Sequence, residues 1–479
     1  MRSTFRVKMV KLSSSIAFCI FCFSLLSKES VPAKKAAEPH YKEDSHSAEI
    51  EEKLQNWSLQ ELENYSVQNN SLYLAEKQNI GIARGEMITA SLYRNPVIGM
   101  QNQFIRQDPL GRVNSSMSSS YLPSISQNGV PGVVQLPPAT SGGPVEIAPS
   151  VNWDLDFAGY VSTRAETARQ GFQAQIAGFE DFDRLFRLRL RQNYWSYLYL
   201  SELVNFQKDF YDNYNDLLHL TKFRADKGDI SQLEYDRIFL EKLRIEKEVQ
   251  DAEIQRVQVA KEIRFFAGIP GTASRKLKLK GNLRFFTTAE LGVDLKNYDM
   301  ENRPDLKAHK LRVRQSRLNV DLKKKEGTHF GPFANVGAEI RHKGNETYTG
   351  LFLTVPLKVF DRNQGEILKA EESYKKTSLE LESRRKLIEI EIRTAVRELE
   401  AREELLRTYT KNRLLEKNKE VQEKSRTAYV KGASNLVTFL EAEKNYINLL
   451  KGYYEQLYLY YNAIEQFRAA VGRLQENGK

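Results

Sequence analysis

The sequence predicts a mixed α and β membrane protein. Long antiparallel helical hairpins carry four strands per chain, which contribute to a trimeric 12-stranded β-barrel, all within a two-fold internal repeat. Three observations lead there. Lys227-Gly228 to Gly268 and Lys431-Gly432 to Gly472 lie 204 residues apart and span equal lengths without a gap. Each half holds a helical pattern of about 65 residues, several times an ordinary helix. Four segments alternate apolar and polar residues.

The chain opens with Arg2, Arg6, Lys8 and Lys11, then an apolar run from Leu12 to Leu26. That is a secretory signal, too short for a spanning helix. Cleavage after Val31-Pro32-Ala33 assigns 1–33 to the signal; Ser27 is the other candidate. The only cysteines, Cys19 and Cys22, fall inside it, so the mature chain has no thiol. Lipidation is the rival reading, disfavoured by the bulky Phe18 and Phe21. No later segment is apolar for the ~18 residues a spanning helix needs, so any passage through a bilayer is by β-barrel. The signal removes five positive charges and one negative from a net +10, leaving about +6 of mixed sign. This is a solvated surface and excludes a nucleic-acid partner.

The first repeat covers 34–268. It reads as a helix over 71–94, strands near 97–107 and 145–157, a long helix over 160–225, a tip near 224–231 and a return helix over 229–268. A connector, 269–302, contains the extended “GNLRFF” and is expected to form an equatorial belt around the helices. The second repeat covers 303–479, with a helix over 303–326, strands near 333–342 and 348–358, a long helix over 366–428, a tip near 426–435 and a return helix over 433–472. Asn69 parallels Asn302 at an offset of 233, and the Gly159 turn parallels the Gly365 turn at 206. A long helix reaches ~100 Å at ~1.5 Å per residue. The short and return helices laid end to end match it, so each half supplies one continuous rod and one in two pieces. Ile388, Ile392, Ala395, Leu399, Leu406 and Tyr409 form a coiled-coil seam interrupted by Arg402.

In the strands, Val145, Ile147, Val151, Trp153 and Leu155 oppose Glu146, Asn152, Asp154 and Asp156. Val336, Ala338 and Ile340 oppose Asn335, Glu339 and Arg341, while Leu351, Leu353, Val355 and Leu357 share a face. Ile98, Met100 and Phe104 begin a weaker strand. Such alternation suits one face in lipid and one in water, though a half-buried soluble sheet gives it too. A Ser-, Gly- and Pro-rich stretch after Arg106 reads as a long exposed loop. Its counterpart, “HKGNETY”, is a hairpin connection. Four strands cannot close a membrane barrel, since about eight is the minimum. Unpaired edges are not tolerated in lipid, so three copies share one ring of twelve. Gly159 and the run Phe360, Asp361, Asn363, Gly365 are then the joints where a strand becomes a helix.

The six histidines, His40, His46, His219, His309, His329 and His342, have no metal-ligand spacing. No phosphate loop, GxSxG or HExxH is present, and no cofactor or catalytic residue is expected.

“SLYRNPV” (91–97), “WDLDFAGYVSTRAETA” (153–168), “RPDL” (303–306), “VPLKVFDRNQGEI” (355–367) and “YVKGASNLVTFLEAE” (429–443), in this order within a repeat, resemble the TolC-type outer membrane efflux protein family. The resemblance runs from about residue 58 to 473. “VFDRNQGEI” and “SLYRNPV” lean toward the outer-membrane component of cobalt-zinc-cadmium efflux systems. It implies a homotrimeric, non-enzymatic exit duct in the outer-membrane lipid with a periplasmic tunnel. Its partners would be a periplasmic adaptor (membrane fusion) protein and an inner-membrane transporter of the RND type. The cargo it implies is heavy-metal cations, with drug efflux or type I secretion as alternatives. A periplasmic coiled-coil adaptor without a pore is the reading from another class. Adaptor contact is expected at the tips, at Lys227, Gly228, Asp229, Ser231, Lys431, Gly432 and Ser434, where plain structural caps are the bland reading. Some relatives close the tunnel with acidic residues six and nine positions after the second tip glycine. Here these are Thr438 and Glu441, half the pattern, with Glu234 and Arg237 in the first half as an ion pair able to lock the closed state.

Overall fold

The computed structural model describes residues 55–104, 145–269, 277–295, 298–343 and 346–472. The expected signal, the Ser-rich loop and part of the connector lie outside them. Ser58 opens the first helix, α1 (Leu59–Asn69), with a capping box shared with Glu61. Before it runs the short strand β1 (Gln55–Trp57). Then follow α2 (Ser71–Ser91), β2 (Val97–Phe104), β3 (Val145–Asp156), α3 (Tyr160–Asp226) and α4 (Gln232–Ala267). After β4 (Lys278–Leu279) come α5 (Pro304–Glu326), β5 (Phe333–Lys343), β6 (Glu346–Thr354), α6 (Gln364–Lys411), α7 (Leu414–Val430) and α8 (Leu436–Ala470).

The sequence placed the first helix over 71–94, but α2 stops at Ser91. The Arg164 guanidinium takes the carbonyls of Ala90 and Leu92 at 2.8 and 2.6 Å, and Pro96 lies just beyond. The additional helix α1 was not anticipated. Asn70 joins the two: its Oδ1 accepts from the Tyr73 amide at 2.8 Å, capping α2. Its Nδ2 donates to the carbonyls of Phe265 and Phe266 at the end of α4. The second repeat solves the same problem with a charge. Arg303, 233 positions on, donates to the carbonyl of Ala470, 204 positions after Phe266. The end-to-end rods are welded by these two side chains.

The second long helix is not continuous over 366–428. It breaks between α6 and α7, where Arg413 adopts φ 49°. Asn412 and Arg413 donate to Thr408 and Thr410, and the ladder restarts with the Lys417 amide on the Arg413 carbonyl. The seam residues Ile388, Ile392, Ala395, Leu399 and Leu406 are buried, and Arg402 is tied to Glu398 at 2.8 Å.

The four long strands form one antiparallel sheet in the order β2-β3-β5-β6. The last strand, expected near 348–358, is Glu346–Thr354. Pro356 has no N–H to continue a ladder. β1 and β4 make a separate parallel pair. Beyond β4 the “GNLRFF” stretch has no strand partner among the described residues, and the connector hangs from tyrosines. The hydroxyls of Tyr194, Tyr197, Tyr460 and Tyr461 donate to the carbonyls of Lys280, Leu277, Phe286 and Arg284.

Candidate functional site: sheet faces, joints and hairpin tips

The sheet is inside out. Ile98, Val151, Ala338 and Leu351 pair in one row across all four strands, and all are exposed, Leu351 at 89%. On the other face Glu146 is only 4% exposed and meets Arg341 at 3.0 Å; Arg341 also holds Glu339 at 3.1 Å. Asp154 takes Asn335 and Arg94, each at 2.9 Å. Between them Gly337 is required by close approach, because a Cβ there would sit 2.2 Å from the Phe352 ring. Apolar atoms thus face outward while charges pair inward, the reverse of a soluble sheet. Among the described residues β2 and β6 are edges without strand partners. At one end of the sheet Tyr93, Phe157, Phe330 and Phe360 are exposed, Phe360 at 92%. The Lys358 amide on the His329 carbonyl, at 2.8 Å, holds the last two together.

The joints are built by turn chemistry. Gly159 has φ 64°, and Asp156 accepts the amides of Ala158, Tyr160 and Val161 to cap α3. Its counterpart is Asn363 at φ 63°, and not Gly365, which lies inside α6 with ordinary φ. The offset is therefore 204 here too, and not 206. Asn tolerates the left-handed region, and its side chain donates to Lys323 and Glu326. Asp361 accepts from the Asn363 amide at 2.8 Å.

At the tips, the Gly228 and Asp229 amides donate to Ala225 and Arg224, and the Gly432 and Ala433 amides to Tyr429 and Ala428. Both are Schellman turns, with φ 79° at Gly228 and 74° at Gly432. Lys227 and Lys431 are the preceding caps, both exposed. The Lys227 ammonium lies 4.1 Å from the Phe223 ring centroid. Ser231, expected only as an adaptor contact, caps α4, and Asn435, one residue past Ser434, caps α8. The offset of 204 maps Ser231 onto Asn435, which is the signal that would have found it.

The expected ion pair of Glu234 with Arg237 is not formed. Arg237 points to solvent, and Glu234 lies beside Tyr429, whose hydroxyl pKa burial raises, with Glu234 adding to the shift. Thr438 gives its amide to the Asn435 cap, and its side chain and Glu441 are exposed. Sequence reasoning missed what lies behind them. Glu443 is buried and accepts from Gln422 at 2.6 Å, while Arg426 reaches across to Asn213 of α3 at 2.9 Å. Among the described residues no group of three or more His, Cys, Asp or Glu is placed to hold a metal. No described helix is long and apolar enough to cross a membrane.

Long helices with four antiparallel strands per chain define the fold of the trimeric outer-membrane channels, strands at the membrane end and helices forming the periplasmic tunnel. CusC, described as forming a transmembrane channel, matches with a TM-score of 0.67 at 13% identity, over 86% of this chain and 92% of that one. The CmeC outer membrane channel of Campylobacter jejuni matches at 0.66 and 14%, over 87% and 85%. The open MtrE outer membrane channel of Neisseria gonorrhoeae matches at 0.65 and 14%, over 86% and 88%. At these identities the likeness is one of fold. In sequence, residues 299–473 match the family described as outer membrane efflux protein. No curated protein sequence matches the chain.

Proposed function

We propose that this protein is the outer-membrane exit duct of a tripartite efflux pump, a passive conduit and not an enzyme. The observation that carries the reading is the inverted sheet with two open edges. Its apolar face is satisfied only by lipid, and its edges only by further strands. Two copies would close eight strands, a barrel whose interior side chains fill. Three give twelve and leave an open lumen. The helices favour the same ring, because α4 exposes Leu233, Leu240 and Ile254 at multiples of seven residues, a coiled-coil seam open for a neighbouring copy.

The tips are the proposed adaptor contact. Lys227 and Lys431 stand exposed beside the exposed Leu233, Val430 and Val437, a mixed apolar and cationic surface. Asp229, Ser231 and Ser434 complete it, while Gly228 and Gly432 shape the turns. An RND-type transporter in the inner membrane would supply substrate through the adaptor. Heavy-metal cations are the proposed cargo, supported by the branch that “VFDRNQGEI” and “SLYRNPV” resemble. Glu441, with Thr438, is the proposed lining of the tip constriction.

Electron microscopy of the detergent-extracted protein tests the reading. A three-fold tube ~130 Å long is expected, from a ~100 Å helical part and a ~30 Å barrel. A soluble monomer, or a two-helix rod released from membranes by high salt, would refute it. For the cargo, a deletion strain should become sensitive to divalent heavy metals and not to hydrophobic drugs.

A further inference from the structure

Glu443 differs from the other buried carboxylates of the hairpins, Asp183, Glu403 and Glu465, each of which meets an arginine. It is 3% exposed, and it stands on the buried seam of α8 between Phe439 and Ile447. Its Oε1 accepts from Gln422 of α7, and its Oε2 is buried without a partner among the described residues. From α7 it also faces Arg426, which is committed to Asn213. From α3 it faces Tyr214, on which Glu241 and Arg244 of α4 also act. On its own helix it faces Tyr446, with Glu423 of α7 beyond. α7 is itself a discrete rod, bounded by the left-handed break at Arg413 and the turn at Gly432.

We propose that Glu443 is a proton-operated lock on the α7–α8 hairpin. As the neutral acid it completes the core. On releasing its proton to solvent it drives α7 off α8, about the Arg413 break, until water reaches the carboxylate. A bare carboxylate with one hydrogen bond costs far more in an apolar core than the neutral acid does. Burial raises its pKa, and the Gln422 amide and Arg426 only partly oppose this. A raised value means that the packing is most stable below the ordinary carboxylate range. That stability is lost as pH rises through the raised value. That this motion widens a conduit rests on the duct reading; the proton dependence of the packing does not.

Hydrogen exchange on the detergent-extracted protein tests it. Amides of 414–430 are compared with those of 364–411 between pH 5 and 8, after correction for intrinsic rates. In the wild type, α7 should lose protection, by up to about tenfold per pH unit, as pH rises from the ordinary carboxylate range to the raised value, and level off above it, while α6 holds steady. Glu443→Gln, a neutral isostere, should stay protected throughout, and Glu443→Leu should behave alike. A wild type without pH dependence, or variants that keep it, would overturn the lock. Conductance in planar bilayers separates the two claims. Pores with a pH-independent α7 sink the lock alone, and a pH-dependent α7 in a protein that never conducts sinks the duct alone.

Discussion

Asp305→Asn probes the weld of the second repeat. Asp305 is 4% exposed and accepts from Arg303 at 3.0 and 2.8 Å and from Arg384 at 2.7 Å. Burial would raise its pKa, but the two guanidiniums outweigh that and hold it at about 2. A depressed value contributes stability that is fully present above the ordinary carboxylate range and lost as pH falls toward 2. The shift corresponds to about 2 kcal/mol, a factor of roughly 30. Breaking a buried pair costs about 3–5 kcal/mol when the remaining charge is stranded. Here Arg303, fully buried, keeps Glu391 at 2.8 Å and the Ala470 carbonyl, so the lower figure applies. The assay is hydrogen exchange at the α5 amides, wild type against variant, from pH 7 to pH 2. The variant should exchange about 30-fold faster at pH 7, and the two should converge near pH 2. Equal rates at pH 7, or a gap that persists undiminished in acid, would show that the ionised Asp305 does not hold the joint.

Other outcomes follow from single residues. Leu351→Arg, at the middle of the outward face, should cost about 2–4 kcal/mol and reduce membrane insertion, whereas Leu357→Arg near the joint should cost about 1 kcal/mol or less; equal effects would contradict a lipid-facing sheet. Gly228→Ala and Gly432→Ala meet no steric neighbour, so each should cost about 1 kcal/mol through positive φ alone, read as faster exchange at the tips and weaker adaptor co-purification. Arg413→Gly should relieve strain of about 1 kcal/mol and raise the protection of α7.

The repeat was legible because glycines at helix ends need positive φ, and Gly228, Gly268, Gly432 and Gly472 all have it. The same logic misled at the joint, where Gly365 was the visible marker but Asn363 makes the turn. The alternation of the strands carried their facing, since period two is a local property. Some ends were marked locally, as Pro356 marks the end of β6, but others also depend on contacts no local pattern contains, as when Arg164 binds the end of α2. The break at Arg413 has no Gly or Pro to announce it. Glu443 was legible in principle: Leu436, Phe439, Glu443 and Ile447 are spaced by three, four and four residues, which puts a carboxylate on an apolar seam. Acidic residues are so common on these helices that a single one on the apolar seam does not stand out. The weld at Arg303 joins residues 167 apart and could be seen only in three dimensions.

The tyrosine hydroxyls that carry the connector reach for main-chain oxygens. A carbonyl looks the same whatever residue bears it, so this attachment is blind to side-chain identity. Leu283 still packs inward, but Asn282, Arg284 and Phe286 are exposed and free of the task of holding the strap in place. The strap can therefore drift in sequence, changing the charge and texture of the surface it presents, while its course stays fixed by four residues on two other helices. Variation selected on those exposed side chains would leave the helices beneath them undisturbed.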